Sequence, residues 1–220
     1  MYDKKFEDER KKIINKNFAS KKMLKIAKSF NVEASLNKYT YGFNWLGVPI
    51  IQYPQDLMLM QELLYNVRPD LIIETGIARS GSLIFYSSIL SLIHKKFNVI
   101  GVDIDIRKHA KKVLDKHKFS KNIITFQGSS NNQKILDKIS KLSKKYKKTL
   151  VCLDSAHTHQ HVLEELKNYS KFVTKNSYLV VFDTTISTFD DKNISKISKL
   201  YEYKPFGKKS NPYTAIKKFL

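Results

Sequence analysis

The sequence predicts an α/β protein: a mostly parallel, doubly wound sheet with a helical extension before it. Three observations predict this. Short apolar runs at 71–74, 98–103, 123–126, 149–153 and 178–182 alternate with amphipathic stretches of helical period. Each run closes on polar residues: Glu74, Asp103, Ser129, Asp154 and Asp183. The first run passes into a helix through a small-residue loop, LIIETGIARSGS from Leu71 to Ser82. Strands joined by helices pair in parallel through right-handed crossovers, and ligands then bind beyond the strands' C-terminal ends.

Residues 3–30 read as helical, because Phe6, Ile13, Ile14, Phe18, Met23, Leu24 and Ile26 recur at spacings of three and four among lysines. Such a stretch suits a helix packed on the domain or on another subunit, and also a basic amphipathic anchor on an anionic membrane. Residues 31–54 read as irregular chain, with Tyr39, Tyr41, Phe43, Trp45 and Tyr53 among Gly42, Gly47, Pro49 and Pro54. They serve as a strap over the core or as a wall of a substrate pocket. The division expected is an extension over 1–54 and a sheet domain over 55–220.

Residues 56–67 form a helix with Leu57, Met60, Leu63, Leu64 and Val67 on one face, stopped at Arg68-Pro69-Asp70. Further helices are expected at 81–94, 107–117, 132–144 and 159–169. Residues 184–212 hold Phe189, Tyr201, Tyr203, Phe206 and Gly207, a lid or acceptor wall whose aromatics suit a sugar face.

The net charge is +20, from 40 Lys+Arg against 20 Asp+Glu, which favours anionic partners. The lysines are scattered and rarely alternate with aromatics, so a solvated coat fits better than a nucleic-acid face. The single cysteine, Cys152, lies in an apolar run, which points to a reducing, cytoplasmic setting and a buried thiol. No apolar stretch approaches the length of a membrane span. The abrupt end at Leu220 raises the expectation of a longer parent chain.

The chemistry is expected at the strand ends. Gly76 and Gly81 let backbone approach a ligand, although Ala78 stands where a dinucleotide fingerprint has its second glycine. Asp103 is placed to accept two ribose hydroxyls, with Asp105 as the fallback, and Gln127 and Ser129 can meet an adenine edge. Glu74 puts a negative charge in the loop, which suits a sulfonium and amino acid and repels a pyrophosphate. This favours S-adenosylmethionine over a nicotinamide dinucleotide. In LDSAHTHQHVLEEL, Asp154 and His157 are assigned to the site, where a carboxylate near a hydroxyl accepts its proton. His159 is read as a polar residue at a helix start. Acids facing Asp154, such as Asp183, would instead hold a divalent metal.

At these motifs the chain resembles the cephalosporin hydroxylase-like family, a branch of the class I S-adenosylmethionine-dependent methyltransferases that includes rhamnosyl O-methyltransferases. The matching pieces are RPDLIIETGIARSGS, VIGVDIDIR, FQGSS, LDSAHTHQHVLEEL, YLVVFDTTI and PFGKKSNPYTAIKKFL, over residues 49–220. The resemblance implies a Rossmann-like fold and cofactor contacts at Glu74, Gly76, Gly81, Ser82, Asp103 and the Gly128-Ser129 turn. It implies a metal held by an acid after the fourth strand and an acid pair after the fifth. Asp154 and Asp183 match two of these, while Phe182 replaces the third, so a magnesium site lacks one carboxylate. No facial triad for iron is found.

The function expected is O-methylation of a hydroxyl, on a sugar of a surface glycan or glycolipid, by a cytoplasmic protein that can lie against the inner membrane face. A homo-oligomer fits as well. The charge keeps an RNA methyltransferase open, and Phe182 keeps open a basic binding module with a vestigial cofactor pocket.

Overall fold

Two helices stand where one helical stretch was expected. α1 (Lys4–Ala19) and α2 (Lys21–Leu36) part at Ser20, which is extended at φ −75°, ψ 106°. Its N–H donates to the Asn17 carbonyl and its Oγ accepts from Met23 N, so one serine ends a helix and caps the next. α2 runs on to Leu36, into the stretch read as irregular. A 3₁₀ turn at Tyr39–Gly42 and a short hairpin, β1 (Asn44–Trp45) with β2 (Val48–Pro49), follow. The computed structural model describes residues 3–201 and 206–220, and Tyr203, expected in the lid, lies outside the described residues.

α3 (Pro54–Val67) starts on a proline, whose fixed φ suits the first helical position, and stops at Arg68 in the left-handed region. The sheet then builds from β3 (Leu71–Thr75), β4 (Asn98–Asp103), β5 (Ile123–Gln127), β6 (Thr149–Leu153) and β7 (Leu179–Val181). All pairings are parallel, in the order β5-β4-β3-β6-β7. The connecting helices are α4 (Gly81–Ile93), α5 (Lys108–Lys116), α6 (Gln133–Ser143) and α7 (His159–Tyr169). After β7 come a 3₁₀ turn (Thr184–Thr188), α8 (Asp191–Leu200) and α9 (Pro212–Phe219). The chain steps outward from β3 to β5, then returns to β6, so the strand order reverses between β3 and β6. That reversal is where a wound sheet leaves a crevice.

Alternate residues of β3 feed two cores. Ile72 joins Leu64, Leu83, Phe85 and Leu90 under α3 and α4; Leu71 and Ile73 join Ile139, Val162, Leu166 and Tyr169 under α6 and α7. Each such side chain contributes about 1.5–3 kcal/mol of burial. A third, smaller core of Val32, Phe189, Ile194 and Ile197 clamps the second half of α2 to α8. Among the described residues no helix is long and apolar enough to cross a membrane.

Gly81 opens α4 directly beneath the hairpin. A Cβ there would strike the Pro49 carbonyl and approach Ile50 Cα to 2.6 Å. Gly81→Ala is therefore expected to cost about 2 kcal/mol and roughly 5 °C in Tm. Gly42→Ala, with open space around it, is the control. Thermal melts of the two variants check this, and equal melts would mean that the hairpin does not rest on residue 81.

Candidate active site

The loop from β3 to α4 is held by backbone. Gly76 takes φ +93°, and a Cβ on it would collide with the Asp154 carbonyl. Gly76 N donates to Val102 O at 2.7 Å, and Asp154 N to Thr75 O at 3.0 Å. Ala78 (φ 44°) and Ser80 (φ 72°) take left-handed conformations, so Ala78 adopts the backbone that a glycine would supply at a cost of about 1–2 kcal/mol. Asp103 stabilises this loop. Its Oδ2 accepts from Ile77 N (2.7 Å) and Ala78 N (3.2 Å), and its Oδ1 from Asp105 N (3.0 Å).

Glu74 is fully buried, and its carboxyl accepts from Ser82 Oγ (2.6 Å) and Tyr86 OH (2.9 Å). Burial pushes it up to about 8, against the pull of those two hydrogen bonds. The negative charge expected at this position is therefore largely neutralised near pH 7. Ser82 stands between Glu74 and the open side.

Beyond β6, Asp154 Oδ2 accepts from Gln52 Nε2 at 2.7 Å. Burial, then the facing charges of Asp183 and Glu74, hold this carboxyl well above the usual range. His157 Nε2 lies 3.2 Å from Asp183 Oδ2. One ligand atom from each of Asp154, His157 and Asp183 falls within 4.8 Å of the others. The structure thus brings the two assigned catalytic residues together with the assigned metal acid.

The predicted cofactor residues divide into three groups along the edge. Gly76, Gly81, Ser82 and Asp154 line a cavity of about 40 Å³, roofed by Pro49 to Gln52. Glu74 lies behind Ser82. Asp103 and the Gly128-Ser129 turn lie on the far side of the loop, where Gly128 N donates to Asp103 O at 2.7 Å. Ligand pockets for molecules of cofactor size run to about 300–1,000 Å³. The single open hollow expected around Glu74, Asp103 and Asp154 is therefore closed by the strap, with Asp103 turned onto the loop.

Other residues were missed. His161 Nε2 lies 3.1 Å from both Ser130 Oγ and Ser155 Oγ, and 3.3 Å from Glu165 Oε1, which Ser155 also meets at 2.7 Å. Glu165 is fully buried, and its hydrogen bond raises the His161 pKa. This network ties the turn after β5 to the loop after β6; the i,i+4 spacing of His161 and Glu165 was the available signal. Gln52 carried none. His159, read as a polar helix start, packs its Nδ1 2.9 Å from Thr214 Oγ1 and so joins α7 to α9. Two tyrosines feel the Asp183 charge. Burial first and the Asp183 charge after it raise Tyr53, and Tyr201 rises to about 12 by burial, Tyr41 and Asp183.

With this geometry in place, the family model for rhamnosyl O-methyltransferase/CmcI matches residues 37–220. The chain belongs to the rhamnosyl O-methyltransferase/CmcI family. Rhamnosyl O-methyltransferases of Mycobacterium leprae and Mycobacterium tuberculosis are each 29% identical to it over 164 residues, 71% of this chain. The match covers 69% of the first and 65% of the second. An apo-structure of CmcI superposes with a TM-score of 0.52 at 20% identity, covering 64% of this chain and 57% of that one. A CmcI structure with Mg and SAM gives 0.50 at 18%, over 66% of this chain and 58% of that one. This chain thus spans little more than half of those solved neighbours, and the likeness shows the fold. The family read from the motifs and the Rossmann-like sheet both stand.

Glu74 sets a pH dependence. Its folded pKa, about 8, lies above the ordinary 4.5, so the protonated form favours folding. That advantage is full below about pH 4.5 and is lost as pH rises through 8. Between pH 5 and 9 the wild type should lose on the order of 3 kcal/mol more than Glu74→Gln, read from urea midpoints. Parallel losses would show that Glu74 is charged throughout.

Proposed function

We propose that this chain transfers the methyl group of S-adenosylmethionine to a hydroxyl of a sugar acceptor. One observation carries the reading: Asp154, His157 and Asp183 converge beside a glycine loop, at the point where the order of a parallel sheet reverses. The family's rhamnosyl O-methyltransferases and the CmcI structure with SAM support it.

The residues fit the donor in chemistry. Asp103 is the acid that would accept the ribose hydroxyls, once it turns from Ile77 and Ala78. Gly76, Gly81 and Ser82 line the space for the amino-acid end, with Glu74 behind Ser82 as a carboxyl that a nearby ammonium would recharge. The Gly128-Ser129 turn flanks the adenine side. The strap must rise for a ligand of this size, and Gln52 must release Asp154.

The bound donor supplies an electrophilic methyl group on a sulfonium. This chain's own residues hold the acceptor and move its proton. Asp183 orients the His157 imidazole, which accepts the hydroxyl proton as the oxygen attacks, and Asp183 then stabilises the imidazolium. Tyr53 and Tyr201, close enough to Asp183 to feel its charge, supply aromatic surface on the acceptor side. A divalent cation also fits the donor set. Asp154 and Asp183 would hold it, Mg included, and Phe182 offers no third carboxylate. Such an ion would polarise the acceptor hydroxyl.

Calorimetry tests the donor assignment. Asp103→Ala should bind S-adenosylmethionine at least about tenfold more weakly than wild type, and equal affinity rejects the assignment. With a rhamnose-bearing acceptor, His157→Ala should lower kcat roughly 10²–10³-fold and leave donor affinity within about twofold. An unchanged kcat would remove His157 as the base.

A further inference from the structure

α1 buries none of its residues. Phe6, Ile13 and Ile14 are half-exposed or more, and Phe18 is 80% exposed. A helix of this length gains little order on its own in water. Arg10 ties it to the sheet domain, reaching Glu62 of α3 at 3.6 Å while pairing with Glu7 of its own helix at 3.2 Å. The first half of α2 repeats the pattern. Met23, Leu24 and Ile26 are each about half-exposed among Lys21, Lys22, Lys25 and Lys28. Residues 3–36 hold ten Lys and Arg against five Asp and Glu.

An exposed apolar surface rimmed by lysine needs a cover, and charge selects which one. A second copy of this chain, itself at +20, would set the same lysine-rich face against its twin, since a two-fold contact pairs a surface with itself. An anionic lipid surface offers the opposite sign to the lysines and hydrocarbon to the rings. We propose that α1 and the first half of α2 are a docking surface for anionic lipid bilayers. The helices lie in the plane of the interface, with Phe18 and Ile14 entering the acyl boundary and the lysine stems reaching the headgroups. This stands apart from the methyl-transfer reading, because none of these residues belongs to the site.

The test is co-sedimentation of the whole protein with vesicles of phosphatidylcholine alone or with about 30% phosphatidylserine. Anionic vesicles should retain it about tenfold or more over neutral ones, and raising salt from about 0.1 to 0.5 M should remove most of that gain. The Ile14→Asp, Phe18→Asp double variant should lose retention about tenfold with an unchanged melting temperature. No retention, or equal retention on both vesicles, overturns the proposal. Light scattering that finds a dimer broken by the same double variant also overturns it, in favour of a second copy.

Discussion

The backbone of Gly76 lies against that of Asp154 with no room for a Cβ, and the rest of the site depends on that approach. It locks the ends of the two strands between which the order reverses, with Thr75 O and Val102 O taking the N–H groups on either side. From this junction the other groups follow by sheet position. Asp103 comes one strand outward, under the loop; His157 comes three residues beyond Asp154; Asp183 comes across from the neighbouring strand. A side chain at residue 76 would separate the strand ends and move every acid in the set.

Those acids are in tension with one another. Glu74 and Asp154 are both held above their ordinary range, with burial as the main cause and neighbouring carboxylates adding to it. In a chain with twice as many cationic as anionic side chains, the sheet edge gathers negative groups while lysine coats the outer helices. Strain of this kind costs folding free energy and persists where it serves a ligand of opposite sign. A sulfonium and a divalent cation share that sign. The hydrogen bonds from Ser82, Tyr86 and Gln52 pull these carboxyls back toward ionisation, so a cation brought beside them would restore their charge.

Much of this was legible in the sequence. The strands ending in Thr75, Asp103 and Leu153 differ from their expected ends by at most one residue, because unbroken runs of Ile, Val and Leu bounded by acids admit few other structures. Asp154, His157 and Asp183 were readable for the same reason: a strand end fixes where its next residues go. The break at Ser20 was weaker, since serine inside a lysine-rich amphipathic stretch also reads as a solvent-facing helical residue. The charge state of Glu74 was not readable at all. It depends on Tyr86, twelve residues away, and on complete burial, and neither leaves a mark in local pattern.

The strap shows why pattern found the floor of the site and not its roof. The floor is sheet, where periodicity is strong. The roof, residues 49 to 53, is placed by ring contacts: Tyr53 lies 6.2 Å from Phe30 of α2 and 6.3 Å from Tyr39, which packs edge-on against Phe43 at 5.0 Å. Tyr201 OH then donates to Ser35 O, fastening α2 to the end of α8. Contacts of this kind join residues far apart in the chain and carry no period. The roof is thus tied to α2 through these rings as well as to α4, where Pro49 and Ile50 lie against Gly81 and Ile50 sits in the core. Lifting the strap for a large ligand would disturb those rings and the Gln52–Asp154 bond, while the close approach of Gly76 to Asp154 ties the strand ends of the floor together.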